Sequence, residues 1–289
     1  MRVILFFNNL KGLSTFKILK KNKIKIIKIF LSNKYLNENV KKKLNQYKEK
    51  YEIIKNINSI NLIKKIEKLS SDLNIIAGFP YIFPRKLIHI PKYGTINLHS
   101  GPLPKYRGGS PLNWQIINNE KYIGLCVIKI NEKIDSGFMI TKDKFKLKNN
   151  HTIKDVHAIV NKKFENLVLK AIKYLKINKK FIKISKTNSN YFKQRKPQDG
   201  QIIWDKMNNL QVFNLVRAVT KPYPGAFSYY NKKKVLIFKV KTSSKKISGM
   251  PGKIEFLNNK KYVKCYKSSI QLIKIHPKIV KKGFFYYKV

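Results

Sequence analysis

Three side chains of types that catalyse acyl transfer lie near two strand ends of this sequence. Asn97 and His99 end one apolar run, and Asp135 lies in the turn 134–137 that follows the next run. Period-two alternation along a strand would place Asn97 and His99 on one face and Leu98 on the other. We therefore predict that an amide and an imidazole point together, with a carboxylate close by.

These residue types suit transfer of an acyl group to an amine. Negative charge builds on the carbonyl oxygen as the amine attacks, and the Asn97 side chain can donate an N–H to that oxygen. His99 can take the proton that the amine sheds or donate to the same oxygen, while Asp135 would hold the imidazole and raise its pKa. A structural explanation is also open, because Asn-x-His at a strand end and Asp-Ser-Gly in a turn occur without catalysis. The absence of a Gly-x-Ser-x-Gly elbow argues against a serine hydrolase.

The loop that follows His99 is rich in glycine and proline. Gly removes a Cβ and Pro stiffens the backbone, so the loop suits close approach of the backbone to a ligand. Arg107 could meet a carboxylate or phosphate of that ligand, or form a surface ion pair. We predict that the loop contributes these substrate-binding residues: Gly101, Pro102, Leu103, Pro104 and Arg107.

The elements that must position these residues alternate between strands and helices. Apolar runs predict strands at 2–7, 24–31, 51–54, 73–77, 95–99, 123–130 and 138–147, and helical spacing predicts helices at 13–19, 62–69, 111–117 and 153–174. This order predicts an α/β fold with a mostly parallel sheet. No Gly-x-Gly-x-x-Gly follows the first strand, which argues against a dinucleotide cofactor.

A second domain of different composition follows a polar stretch that ends in Pro197, Asp199 and Gly200. After it the sequence predicts a helix at 210–219 and short strands at 226–230, 235–240, 253–256, 262–266 and 270–275. Short strands at this spacing are typical of a small β-barrel or sandwich. We predict a catalytic domain at 1–184, a linker at 185–200 and a C-terminal β domain at 201–289.

The composition is strongly basic but does not by itself identify a nucleic-acid-binding protein. The net charge is +49, from 63 Lys and Arg against 14 Asp and Glu. Lysines are spread along the whole chain, whereas a nucleic-acid footprint clusters on one face. The bias resembles that of an AT-rich genome, although the charge still favours anionic substrates.

The cysteines and the hydropathy pattern suggest an intracellular location. Cys126 and Cys265 are far apart in apolar runs, so we predict neither a disulfide nor a metal site. No run has the length of a signal peptide core or of a membrane span, and we expect a soluble cytoplasmic protein without a membrane partner.

Four short motifs follow one another along the chain: Asn97-Leu98-His99, Leu103-Pro104-Lys105-Tyr106-Arg107-Gly108, Ser110-Pro111-Leu112-Asn113-Trp114 and Ile134-Asp135-Ser136-Gly137. In this order and spacing they resemble the folate-dependent formyltransferase family, which includes methionyl-tRNA formyltransferases and sugar-nucleotide N-formyltransferases. The resemblance continues through residues 195–204 and 216–227. It therefore covers most of the chain.

The resemblance implies a Rossmann-like catalytic domain, a C-terminal barrel resembling an OB fold, and 10-formyltetrahydrofolate as the formyl donor, with no metal. It also implies that Asn97, His99 and Asp135 form the catalytic set. By position, the residues that would line the folate pocket are Tyr81, Ile82, Phe83, Asn131, Glu132, Lys133, Ile134 and Asp135.

The amine acceptor is harder to identify from the sequence. Methionyl-tRNA formyltransferases usually open with a Gly-Thr-Pro-Glu-Phe-like turn and carry an arginine-containing loop after the second strand, and residues 7–10 and 31–35 match neither. Residues 110–114, 195–197 and 220–225 resemble the enzymes that formylate nucleotide-linked aminosugars, which we prefer as acceptor. Initiator Met-tRNA is the alternative, followed by hydrolysis of formyl-folate and by a non-enzymatic RNA-binding role.

Overall fold

The computed structural model describes residues 1–185, 187–279 and 281–286, and its backbone contacts divide the chain into two compact units. Unit 1 contains residues 1–108, 124–145 and 157–192, and unit 2 contains 109–123, 146–156 and 193–289. Each unit is therefore made of three segments that are separated in the sequence. The domain boundaries at 184 and 200 therefore stay a prediction, and Lys186 and residues 280 and 287–289 of the predicted linker and C-terminal domain lie outside the described residues.

Unit 1 is built mainly on one sheet of eight strands. The first ten strands of the chain are β1 (Arg2–Phe6), β2 (Lys25–Ser32), β3 (Glu52–Ile54), β4 (Leu73–Ile76), β5 (Thr95–His99), β6 (Arg107–Gly108), β7 (Tyr122–Lys129), β8 (Phe138–Lys146), β9 (Ile182–Lys183) and β10 (Tyr191–Phe192). The order in the sheet is β3-β2-β1-β4-β5-β7-β8-β9, and β6 pairs separately with β10. Strands β1 to β5 are parallel, as a buried α/β sheet requires.

Six helices accompany these strands along the chain. They are α1 (Leu10–Lys21), α2 (Glu38–Gln46), α3 (Ile60–Lys68), α4 (Arg85–His89), α5 (Pro111–Ile117) and α6 (Ile153–Lys176). Helix α1 starts directly after β1 because the Asn9 side chain caps it, accepting hydrogen bonds from the backbone N–H groups of Lys11 and Gly12. The predicted α/β class with a mostly parallel sheet is confirmed.

The strand direction changes beside β5. Strand β4 runs parallel to β5 on one side, and β7 runs antiparallel to it on the other, with His99 opposite Cys126. Open α/β sheets bind ligands outside the carboxyl ends of their strands. Strand β5 carries Asn97 and His99, and it matches the predicted range 95–99.

The turn between β7 and β8 closes tightly around Ser136 and Gly137. The Ser136 hydroxyl donates to the Asn131 side chain at 2.9 Å and to the Lys133 carbonyl at 3.0 Å. A Cβ on Gly137 would lie 1.9 Å from the Lys129 carbonyl oxygen, so only glycine fits there. This turn sets the position of Asp135.

Unit 2 contains an antiparallel barrel that is nearly closed. Its elements are the helix α7 (Asn209–Val219) and the strands β11 (Ala226–Tyr230), β12 (Lys233–Ser243), β13 (Lys253–Leu257), β14 (Lys260–Cys265), β15 (Ser268–His276) and β16 (Gly283–Phe284). The strand order is β11-β12-β15-β14-β13-β16, and a bridge between Tyr229 and Tyr286 joins the two ends. The predicted small β-barrel is confirmed.

Some elements were not predicted. Strands β6, β9, β10 and β16 have two residues each, too few to show a period, and α2 and α4 are short. The predicted linker 185–200 contains β10 and a 3₁₀ turn at Pro197–Gly200, so it is structured in part. Within the described part of the chain, no helix combines the length and the apolar character needed to cross a membrane.

We expect Gly137→Ala to destabilise the protein, because the added methyl group must displace the Lys129 carbonyl and open the turn. Overpacking of this kind costs about 1–3 kcal/mol. Urea unfolding followed by circular dichroism measures it, with Lys133→Ala in the same turn as the control. Equal stability of the two variants would contradict the prediction.

Candidate active site

The three predicted catalytic side chains meet at the end of β5. Asn97 lines a cavity that Asp135 also lines, and the His99 ring lies against Asp135. Leu98, between the two polar residues, is buried in the core. The alternation of side chains along β5 therefore places Asn97 and His99 apart from Leu98, as period two requires.

The Asp135 carboxylate contacts two other segments. One oxygen lies 3.5 Å from His99 Nδ1, and the other accepts a hydrogen bond from the Gly108 backbone N–H at 2.8 Å. Only 9% of the Asp135 side chain is exposed. Asp135 has a φ of +48°, a left-handed conformation that Asp tolerates better than most residues. The carboxylate therefore connects the β7–β8 turn to β5 and to β6.

The His99 imidazole is fixed at both nitrogens and is 5% exposed. Nε2 lies 2.6 Å from the Tyr106 carbonyl oxygen, which can only accept, so Nε2 carries the hydrogen. Burial lowers the pKa of His99, more than the Asp135 carboxylate raises it, and the Lys11 ammonium lowers it further. The ring is therefore neutral near pH 7, with an unprotonated Nδ1 facing the carboxylate.

Lys11 is a charged group of this site that the sequence analysis missed. Its ammonium donates to the Leu98 carbonyl at 2.6 Å and to the Ser100 hydroxyl at 3.4 Å, and lies 5.2 Å from the Phe164 ring centroid. Burial lowers the pKa of Lys11 to about 8, against the opposing effect of Asp135. The group is therefore mostly charged at pH 7. Its position in the first turn after β1 was the available signal, but lysine is too common in this chain to single one out.

A buried thiol and a half-buried imidazole near Lys11 are both uncharged at neutral pH. Burial raises the pKa of the Cys126 thiol to about 12, and its sulfur lies 3.3 Å from the Gly101 carbonyl oxygen. Burial, followed by the Lys11 charge, lowers the pKa of His157 to about 4. Near pH 7 the charges that act on His99 in this interior are therefore those of Asp135 and Lys11.

A cavity of about 130 Å³ lies in front of Asn97 and Asp135. Apolar side chains form much of its wall, and the segment before the Asp135 turn forms its polar side. It is lined by Ile76, Phe79, Tyr81, Ile82, Phe83, Ile88, Asn97, Ile130, Asn131, Glu132, Lys133, Ile134 and Asp135. All eight residues that the resemblance assigns to a folate pocket lie on this lining.

Residues 101–104 do not line this cavity. Gly101 lies against the histidine, since a Cβ there would be 2.8 Å from His99 Nε2, and Leu103 packs in a buried cluster with Cys126 and Ile184. In the structure this loop packs against the Nε2 side of the imidazole. A substrate-binding role for Gly101, Pro102, Leu103 and Pro104 stays a prediction.

Arg107 also lies away from the cavity lining. Its Nη2 donates to the Ser185 carbonyl at 2.8 Å, and its backbone N–H donates to the Asn190 carbonyl. Its buried Nε has no acceptor among the described residues. The predicted contact with an anionic substrate therefore stays a prediction. In the described ranges no three His, Cys, Asp or Glu side chains are grouped as metal ligands.

Comparison with protein families matches both halves of the chain. The family model described as "Formyl transferase" matches residues 9–172, and the one described as "Formyl transferase, C-terminal domain" matches residues 194–282. Together they cover the catalytic candidates and the barrel.

Individual relatives support the same assignment. The chain is 35% identical over 283 residues to the bifunctional polymyxin resistance protein ArnA of Wigglesworthia glossinidia brevipalpis, an alignment that covers 94% of this chain but only 42% of that relative. It is 32% identical over 210 residues to the methionyl-tRNA formyltransferase of Clostridium acetobutylicum, covering 72% of this chain and 67% of the relative.

The fold also matches a solved structure along nearly its whole length. The N-formyltransferase of Helicobacter canadensis, solved with folinic acid and dTDP-3-aminofucose, superposes with a TM-score of 0.67 at 20% identity, covering 94% of this chain and 98% of that one. With both halves matched by family models and a 35% identical relative aligned over most of the chain, this protein belongs to the formyl transferase family.

Proposed function

We propose that the protein transfers a formyl group from 10-formyltetrahydrofolate to a primary amine. The observation that carries the proposal is the convergence of three groups on one place. Asn97 and Asp135 line the same cavity, and the His99 imidazole lies 3.5 Å from Asp135. An amide donor, a neutral imidazole and a carboxylate are what acyl transfer to an amine needs.

The residue types that line the cavity suit the flat ring system of a folate. Phe79, Ile82 and Phe83 offer apolar walls, and Asn131 and the backbone of the following turn offer polar groups. Ligand sites commonly combine apolar walls with a few polar groups that fix orientation. The folate supplies the formyl group that is transferred.

The residues of the chain divide the chemistry among them. Asn97 donates a hydrogen bond to the formyl oxygen, which gains negative charge as the amine attacks. His99 takes at Nδ1, which faces Asp135, the proton that the attacking amine loses, because Nε2 is already bound to the Tyr106 carbonyl. The same proton passes to the departing nitrogen of the donor, so the C–N bond formed to the amine replaces the C–N bond broken in the folate. Asp135 stabilises the imidazolium that results. The Lys11 charge lowers the pKa of His99, which favours a neutral ring before the amine attacks.

The acceptor that we favour is an amine on a nucleotide-linked sugar. The support comes from residues 110–114, 195–197 and 220–225, which resemble the sugar-nucleotide enzymes, and from the departures at 7–10 and 31–35. In the structure those departures have a local role. The Asn8 side chain accepts from the Ser32 backbone N–H at 2.7 Å and Asn9 caps α1, so this turn joins β1, β2 and α1.

Initiator Met-tRNA is the second candidate acceptor. Its specific support is the similarity to the methionyl-tRNA formyltransferase of Clostridium acetobutylicum, together with the basic composition. The two acceptors share the formyl transfer chemistry. They differ in whether a small nucleotide or a large RNA carries the amine.

An acceptor assay separates these candidates. Purified protein is given 10-formyltetrahydrofolate with dTDP-3-aminofucose, other nucleotide-linked aminosugars, initiator Met-tRNA, or no amine. We expect formylation of an aminosugar nucleotide, detected by mass spectrometry. Formylation of Met-tRNA alone would overturn the acceptor preference. Formate release without any amine would show that the protein hydrolyses formyl-folate instead of transferring the formyl group.

Asn97→Ala should lower kcat with little effect on KM, because the lost hydrogen bond strengthens only as charge develops on the oxygen. Removal of one such donor typically reduces kcat about 10²–10³-fold. Steady-state kinetics measures it, with the exposed Asn45→Ala as the control for the loss of an asparagine amide. An unchanged kcat would remove Asn97 from the mechanism.

The charges around His99 should move its pKa in opposite directions. Lys11→Met removes a positive charge, so the pKa of His99 should rise and the acid limb of kcat/KM should move to higher pH. Asp135→Asn removes a negative charge, so the pKa of His99 should fall. NMR titration of the imidazole measures both shifts.

Lys17→Met is the matched control for the Lys11 variant, since it removes one charge from an exposed position of the same helix. It should leave the His99 titration unchanged. A Lys11→Met variant whose His99 titrates as in the wild type would show that the ammonium does not act on the imidazole.

A further inference from the structure

A second cavity lies in unit 2, formed entirely by residues outside the proposed active site. Its volume is about 450 Å³, larger than the cavity beside Asn97 and within the range of small-molecule sites. Helix α7, strands β12 and β15 and the segment 149–154 all contribute to its wall. None of its lining residues belongs to the set Asn97, His99, Asp135 and Lys11 that carries the proposed chemistry.

The walls of this cavity are largely apolar. Phe213 and Val216 come from α7, and Phe238 and Val240 come from β12. Phe213 and Phe238 are both half-buried residues that line the cavity. Two partly accessible aromatic rings in one cavity are suited to contact with a flat ring of a ligand.

The edge of the cavity is positively charged. Lys154, Lys221, Lys239 and Lys274 line it from four separate segments, all are exposed, and no Asp or Glu belongs to the lining. The nearest carboxylate in sequence, Asp155, accepts hydrogen bonds from the backbone and hydroxyl of Thr152. Four lysines from four segments therefore surround this one cavity.

Arg217 adds a buried positive charge to this lining. The residue is only 6% exposed. Its Nε donates to the Asn214 side-chain oxygen at 3.0 Å and its Nη1 donates to the Lys148 carbonyl at 3.0 Å. Both acceptors are neutral, and no carboxylate of the described residues forms an ion pair with it.

A buried guanidinium without a counterion is unfavourable, because its loss of hydration is not compensated by an opposite charge. A bound anion would supply that charge. Arg217 also lies 5.1 Å from the Phe213 ring centroid, so an anion at the guanidinium would lie beside an aromatic wall. A ligand that carries an anionic group next to a flat ring would satisfy both.

We infer that this cavity binds a nucleoside phosphate, with the phosphate at Arg217 and the surrounding lysines and the base against Phe213 and Phe238. A polynucleotide fits less well, because a backbone that passes over the surface reaches the exposed lysines but not the buried Arg217. The inference goes beyond the proposed function and does not depend on it.

The test is binding of AMP and of UMP to the whole protein, measured by isothermal titration calorimetry and located by hydrogen–deuterium exchange. We expect saturable binding that protects residues 149–154 and 213–221 from exchange. A Lys239→Glu/Lys274→Glu variant should bind at least about tenfold more weakly at this site and lose that protection, because two phosphate-attracting charges are reversed.

The matched control is Lys233→Glu/Lys260→Glu, which makes the same charge change at exposed barrel positions outside the cavity. It should bind as the wild type does. A nucleotide bound only at the cavity beside Asn97 would leave residues 149–154 and 213–219 unprotected and is thereby distinguished.

Three outcomes would overturn the inference. The first is the absence of protection in residues 149–154 and 213–221 at saturating AMP and UMP. The second is equal weakening by the cavity variant and the control variant. The third is binding of a single-stranded RNA oligonucleotide that both variants weaken alike while the mononucleotides do not bind, which would assign these lysines to a general polyanion surface.

Discussion

The geometry of the candidate site depends on one buried carboxylate. Asp135 lies on a turn whose backbone is in the left-handed region, and its oxygens contact the His99 ring and the Gly108 N–H. Each contact belongs to a different segment of unit 1, so the same side chain fixes the β7–β8 turn, the end of β5 and the end of β6. A buried carboxylate is unfavourable unless it accepts hydrogen bonds, and the Gly108 N–H donates one to Asp135. The cavity is lined by this turn on one side and by residues that include Phe83 and Ile88.

The electrostatic balance around His99 follows from burial rather than from the number of charges. The chain carries a net charge of +49, yet the charges that face the imidazole at neutral pH are those of Asp135 and Lys11. In a low-dielectric interior, two such charges act far more strongly than many exposed lysines in water. A neutral histidine beside a carboxylate can accept a proton and then be stabilised as a cation. The Lys11 ammonium lowers the pKa of the ring and so favours its neutral form before the amine attacks.

The sequence predicts the parts of this arrangement that have a local signature. Period-two alternation at 95–99, the apolar runs of the sheet and the spacing of the barrel strands all correspond to structure, and the motif at 134–137 predicts the turn that carries Asp135. Lys11 could not be found in the same way, because its role arises from contacts with Leu98 and Ser100, which are distant in sequence. The two-residue strands β6 and β10 were not predicted for the same reason. Their pairing is set by tertiary contacts and not by a periodic pattern of apolar residues.

The cavity in unit 2 shows why composition alone was a weak guide to ligands. A lysine-rich chain places positive charge on every surface, so charge by itself does not distinguish one surface from another. What distinguishes this cavity is the combination of clustered lysines with a buried arginine and two accessible aromatic rings. Arginine is rare in this chain, and a guanidinium that keeps only neutral acceptors in the interior is costly to maintain. Because codon bias toward lysine does not explain a buried arginine, the position of Arg217 is more informative about an anionic ligand than the net charge of the whole chain.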